Sequence, residues 1–169
     1  MLKKLTFSAV CVALAIVLSQ LNLFTMPQGG SVTLCSRLFI VLVAYWYGPA
    51  AGFAAGIAQG LLTLFFGASI IHPAQFALDY VLSYGALGLA GFFRKMKRGL
   101  AIGYIAGCAG QFLCNFLAGA IFYAQYAPEG QNVLIYSAVY NLSYLLPEMA
   151  LTLVIISIPA VRSVLDRIK

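Results

Sequence analysis

The sequence predicts an all-α membrane protein, a bundle of six transmembrane helices with both termini cytoplasmic. Three observations lead there. Only 8% of its residues are charged and 63% are hydrophobic, whereas a soluble domain carries about 25% charged residues. Apolar runs of about 20 residues, the length that crosses a bilayer, recur from end to end. The cations are also unevenly shared between the connections. With six spans both termini lie on one side, and Lys3, Lys4, Arg94, Lys95, Lys97, Arg98, Arg162, Arg167 and Lys169 all fall there. Arg37 alone does not, and an excess of Lys and Arg marks the cytoplasmic side. No stretch is long or polar enough for a second unit, so residues 1–169 read as one membrane-embedded binding domain.

The elements follow in order. The first helix is expected from about Lys4 to Leu23, retained because no small-residue cleavage site follows its apolar run. It carries Ala9 and Ala13, a small-xxx-small pair that lets another helix approach closely. The plain alternative is that alanines fill a helix. From Phe24 to Leu34, Pro27, Gly29 and Gly30 break the pattern and predict a loop, a candidate lid with Gln28, Gly29, Gly30 and Ser31 at its tip. A short second helix, about Cys35 to Tyr47, ends at Gly48-Pro49, and a third follows from about Ala50 to Phe66. Gly48, Gly52, Gly56 and Gly60 recur every four residues and predict a flat packing ridge. Gln59 among them belongs either to the core or to a polar cavity.

The fourth helix is expected from Pro73, in a first turn where its missing N–H costs little, to Phe93. Arg94–Arg98 is a tight basic loop. The fifth runs from about Leu100 to Tyr123, and Gln125–Asn132 is a polar turn. The sixth runs from about Val133 to Ala160 through Pro147, and a basic tail follows from Arg162 to Lys169. On this count the loops at 24–34, 67–72 and 124–133 are external.

The chemistry concentrates in His72–Tyr80, HPAQFALDY. Charged residues inside a span are costly and usually functional. In a helix, His72, Gln75 and Asp79 share one face, a polar stripe suited to a bundle interior. His72 precedes the helix and reads first as a loop or capping residue, with ligand contact as the alternative. Asp79, Asn115, Tyr123, Tyr136 and Asn141, from three helices, fall at similar depth under the external loops. No Lys or Arg is expected at that depth, so a ligand would supply the positive or hydrogen-bond-donating group. Tyrosines suit a flat or cationic ligand, and asparagines offer two-way hydrogen bonding. The competing reading is structural: Asp79 held by Gln75, a tyrosine hydroxyl or Asn115 as glue between helices. Glu148 beside Pro147 is either a proton-coupling group or a partner for hydroxyls at the proline.

Other classes find less support. The basic loop is short, which argues against a nucleic-acid partner. Cys11, Cys35, Cys108 and Cys114 lack metal-ligand spacing and read as free thiols, with no metal expected. No nucleophile–base pair or phosphate loop is present, so no cofactor and no catalytic residue is predicted. A small intramembrane enzyme using Asp79 or Glu148 as acid or base is the alternative from another class, and a purely structural bundle a third.

The stretches MPQGGSV (26–32), HPAQFALDY (72–80), FYAQYAPEG (122–130) and IYSAVYNLSYLLPE (135–148), in this order, resemble the thiamine-specific S components of energy-coupling factor (ECF) vitamin transporters. The resemblance covers essentially the whole chain. It implies an S-component-like bundle in the bacterial plasma membrane that captures thiamine from outside and joins a transmembrane coupling protein and two ATPase subunits. Ala9 and Ala13 match the family's docking motif for that module. Asp79 falls where the family places an acidic residue on the aminopyrimidine, and Tyr80, Tyr136 and Asn141 on other ligand contacts. Asn115 stands where the family usually has histidine, Tyr123 where tryptophan or phenylalanine is common, and Ser69 where an aromatic is frequent. Those departures leave a thiamine precursor or another aminopyrimidine as the alternative ligand.

Overall fold

The structure, a computed structural model, describes residues 2–168; Lys169 lies outside the described residues, as does the side chain of Arg167. Seven helices and a small hairpin make it up: α1 (Leu2–Ser19), β1 (Asn22–Thr25), β2 (Ser31–Thr33), α2 (Ser36–Tyr47), α3 (Pro49–Thr63), α4 (Pro73–Phe93), α5 (Gly99–Phe122), α6 (Val133–Ser157) and α7 (Pro159–Ile168). The all-helical character matches the expectation. Among the described residues, five helices, α1, α3 with its short 3₁₀ extension, α4, α5 and α6, are long and apolar enough to cross a membrane.

The second expected span, α2, differs. Its 12 residues reach about 18 Å, short of a hydrocarbon core of about 30 Å. All but Phe39 and Tyr47 are buried, so α2 is a central rod with no lipid-facing side. It packs against α1, α3, α4 and α5. The remaining depth on that path belongs to the hairpin. Residues 22–25 and 31–33 pair antiparallel, so the segment expected to be loop is partly strand, and α1 ends at Ser19 instead of Leu23. Non-helical backbone at membrane depth is tolerated where protein satisfies it, and β2 enters the interior with Thr33 buried.

Prolines and glycines set the corners. Gly48, at φ 97°, turns α2 into α3, and Pro49 and Pro73 occupy first turns, where proline is pre-organised. Pro159 likewise starts α7, so the sixth helix stops at Ser157 and the expected basic tail is a separate helix. Cys35 turns β2 into α2 at φ 56°, a left-handed conformation that L-residues seldom adopt.

The glycine ridge packs as expected. A Cβ added at Gly52 would collide with Ala44 and the Gly88 backbone, one at Gly56 with the Tyr84 carbonyl, and one at Gly60 with the Tyr80 carbonyl. These approaches seat α3 directly on α4. Gln59 is fully buried and outside the large cavity described below.

One end of the bundle gathers the amino terminus, the α2–α3 corner and α7. Phe7 packs edge-on to Trp46 at 5.7 Å, Trp46 Nε1 donates to the Leu165 carbonyl at 3.3 Å, and Lys4 Nζ lies 5.8 Å from the Tyr47 ring. Because α1 and α3 both start there, Ser19 and Thr63 lie at the opposite end.

The ridge gives a paired test. Gly56→Ala should lower the unfolding free energy of the detergent-solubilised protein by about 1–3 kcal/mol, the cost of overpacking. At Gly85 the nearest atom to an added Cβ is Ile57 Cγ1 at 3.4 Å, an ordinary contact. Gly85→Ala should therefore leave stability unchanged or raise it by up to about 1 kcal/mol, both measured by thermal unfolding.

Candidate functional site

A cavity of about 310 Å³ opens at the end of the bundle away from Trp46, where Ser19 of α1 and Thr63 of α3 reach its wall. That size is in the range of small-molecule sites. The candidate lid residues Gln28, Gly29, Gly30 and Ser31 all border it, as do Asp79, Tyr80, Asn115, Tyr123, Tyr136 and Asn141. Ten of the twelve positions expected to contact ligand or form the lid thus meet in one place. His72 and Gln75, expected on the same stripe, lie outside the wall.

The local backbone explains that split. His72 precedes the helix in extended conformation, φ −156°. Its Nδ1 accepts from the Ala74 N–H at 3.1 Å, and its ring stacks on Phe122 at 5.2 Å. It is a cap. After one α turn, Ala77–Leu82 widens into a π-helical turn, a form that often marks functional positions. This turn carries Asp79 and Tyr80. Gln75 is fully buried behind them: its Nε2 donates to Asp79 Oδ2 at 2.7 Å and reaches Tyr123 Oη at 3.2 Å and the Ser69 carbonyl at 3.3 Å. Gln75 therefore positions Asp79. Burial, then the nearby Asp79 charge, pushes the Tyr123 hydroxyl up to about 12, so it stays a protonated donor.

A relay of polar groups fixes the opposite wall. Asn141 Nδ2 donates to the Ser137 carbonyl at 2.9 Å, which leaves its Oδ1 to accept from Tyr144 Oη at 2.6 Å. Having given its proton there, Tyr144 accepts from Asn115 Nδ2 at 3.1 Å. Asn115 Oδ1 is the group left over. It is buried without a hydrogen-bond partner among the described residues, and Asn115 lines the cavity. Such a group is costly unless a ligand supplies a donor. Tyr136, Tyr140 and Tyr144 form a ladder with centroids 6.1 and 5.8 Å apart. The Gly30 N–H donates to Tyr140 Oη at 3.0 Å, tying the lid to α6.

The floor holds what the sequence reading missed. Arg37 was expected near the outer surface, with no cation at the depth of the site. Instead it is buried and lines the cavity. Its guanidinium pairs with the fully buried Glu148, and its Nε donates to Gln111 Oε1 at 2.7 Å. Glu148 Oε2 also accepts from the Thr33 N–H at 2.8 Å and the Thr33 hydroxyl at 2.7 Å. Thr33 thereby uses its hydroxyl proton, so Ser36 is the donor in the 2.7 Å contact between the two hydroxyls. Glu148 does meet hydroxyls beside Pro147, as one expectation had it, but as the counter-ion of Arg37. The signal available in the sequence was one unplaced cation and one unplaced carboxylate inside apolar runs.

Among the described residues, Arg37 and Asp79 are the only formally charged ones of the wall. Glu148 balances Arg37, whereas Asp79 forms no ion pair among the described residues. The cavity therefore offers one unbalanced carboxylate, a spare amide acceptor and six tyrosines, which suits a flat, cationic molecule with N–H donors.

Residues 5–165 match the thiamine transporter protein family. Among curated proteins, the chain is 29% identical over 164 residues to the thiamine transporter ThiT of Bacillus subtilis, covering 88% of this chain and 85% of that one. It is 34% identical over 121 residues to the thiamine transporter ThiT of Lacticaseibacillus paracasei, covering 64% and 60%. Among solved structures, ThiT from Listeria monocytogenes superposes with a TM-score of 0.81 at 26% identity, covering 93% of this chain and 92% of that one.

The floor yields a stability test. Glu148→Ala leaves Arg37 buried without its counter-ion and should cost about 3–5 kcal/mol. Replacing both residues with methionine should recover most of that loss. Thermal unfolding of the two variants in one detergent checks the difference.

Proposed function

The chain belongs to the thiamine transporter protein family, and on that premise we propose that it is the thiamine-capturing subunit of an ECF-type transporter. It works in uptake as a multi-pass membrane binder and not as an enzyme. The observation that carries the ligand reading is Asp79, among the described residues the one wall charge without a counter-ion. Its carboxylate bonds the exocyclic amine of the aminopyrimidine and offsets the positive thiazolium, while Asn115 Oδ1, unpartnered among the described residues, accepts from the second N–H of that amine. The tyrosines stack on the two rings. Tyr80, Tyr123, Tyr136 and Asn141 complete the contacts, and the 28–31 lid closes over them through Tyr140.

Orientation follows from charge. The Lys4, Trp46 and α7 end carries the cations and faces the cytoplasm under the positive-inside rule. The cavity then faces outward. Uptake needs energy that this chain has no motif to supply, so a transmembrane coupling protein and two ATPases drive it. Ala9 and Ala13, both exposed on α1, form the docking face, because small residues permit close helix approach. A thiamine precursor is the second reading, favoured only by the amide at Asn115 and the phenol at Tyr123.

Two outcomes check this. Thiamine at about 100 times its Kd should stabilise the purified protein by about 2.7 kcal/mol, and Asp79→Asn should abolish the shift while leaving the unliganded melting point within a few degrees. A precursor-specific site would instead respond to the pyrimidine half alone. Replacing both Ala9 and Ala13 with leucine should leave that thiamine shift intact and prevent co-purification with the energising subunits.

A further inference from the structure

We propose that Arg37 is a ligand-contacting residue, and that the Arg37–Glu148 pair forms a donor-presenting, charge-neutral floor for an uncharged hydrogen-bond-accepting tail on the ligand. This deepens the thiamine reading and rests on it. A guanidinium has five N–H donors. In Arg37, Nε donates to Gln111 and Nη1 pairs with Glu148; neither contact uses the donors of Nη2. The side chain keeps 10% of its surface accessible, and that surface lines the same cavity as Asp79.

The floor and the anchor sit at different depths. Gln111, which holds Arg37, and Tyr123, which shares Gln75 with Asp79, are separated by about 18 Å along the axis of α5. Since α5 runs from the basic end toward the cavity, Arg37 is at the inner pole and Asp79 nearer the mouth. A ligand laid between them meets a carboxylate at one end and N–H donors at the other. Thiamine has this polarity, an amine on its pyrimidine and a hydroxyl on the tail of its thiazolium.

Charge decides between tail types. Glu148 already neutralises Arg37, and Asp79 leaves one negative charge for a monocation to match. A phosphorylated tail adds negative charge against a floor with no net charge to receive it, and would have to compete with Glu148 for the guanidinium. The floor therefore favours a hydroxyl over a phosphate ester.

The test uses calorimetric titration of the purified full-length protein with thiamine, with the analogue whose hydroxyethyl group is replaced by ethyl, and with thiamine monophosphate. On the unmodified protein, loss of the hydroxyl should weaken binding about tenfold or more, the value of a hydrogen bond to a charged donor, and the monophosphate should bind more weakly than thiamine. In Arg37→Met/Glu148→Met, thiamine and the ethyl analogue should bind alike. Arg37→Lys, which keeps the ion pair but lacks the second terminal nitrogen, gives the same readout should the double variant not fold. Equal hydroxyl discrimination with and without Arg37, or a monophosphate that outbinds thiamine, overturns the assignment while leaving the thiamine reading intact. Failure of thiamine itself to bind the unmodified protein overturns both.

Discussion

Arg37 and Glu148 meet where α2 stops partway through the bundle, and this buried pair reconciles the two halves of the molecule. A helix that ends inside a membrane-spanning bundle leaves backbone N–H groups to be satisfied away from water. Here the chain continues as a strand, and the carboxylate of Glu148 takes the Thr33 N–H, the Thr33 hydroxyl and the guanidinium together. The amino end of a helix also favours an anion nearby. One carboxylate on α6 thus fixes the start of α2, the end of the hairpin and, through Arg37 and Gln111, the middle of α5. Removing a single partner would strand a charge where the surroundings cannot solvate it.

From that fixed floor the cavity rises in layers. Above Gln111 on α5 comes Asn115, whose amide orientation is dictated by the relay through Tyr144 and Asn141 to the Ser137 carbonyl. At the mouth, Gln75 holds Asp79 and Tyr123 together. The lid is tied to α6 at two heights, Gly30 on Tyr140 and Thr33 on Glu148. Asp79 is hydrogen-bonded by Gln75 but has no ion-pair partner among the described residues, which leaves the cavity with one unbalanced negative charge. The lone tryptophan, Trp46, sits at the opposite end against Leu165, so ligand entry should go unseen by intrinsic tryptophan fluorescence.

Much of the fold was legible because its signals are local. Pro49, Pro73 and Gly48 mark helix corners within one turn of their position, and the four-residue glycine period names the packed face of α3 directly. The cavity wall was legible where polar and aromatic residues of three helices fall at one depth, as Asp79, Asn115, Tyr123, Tyr136 and Asn141 do. Three things were not. Gln75 was placed on the ligand-facing stripe by α-helical spacing, but the chain widens into a π turn over Ala77–Leu82, between Gln75 and the rest of the helix, and Gln75 stays buried behind Asp79. The hairpin hides in a stretch whose Pro and Gly read as loop, with strands of only 4 and 3 residues. Arg37 and Glu148 are joined across more than a hundred positions of sequence, so no periodicity links them; counting cations for topology treated Arg37 as a surface residue.

The central claim is that the unbalanced carboxylate in this cavity exists to hold a cationic aminopyrimidine. Isothermal titration calorimetry on the detergent-purified chain tests it most directly, with thiamine as titrant and riboflavin as control. The account predicts saturable, one-to-one heat from thiamine and none from riboflavin. Equal binding of riboflavin, or no heat from thiamine at any concentration that keeps the protein folded, would contradict it.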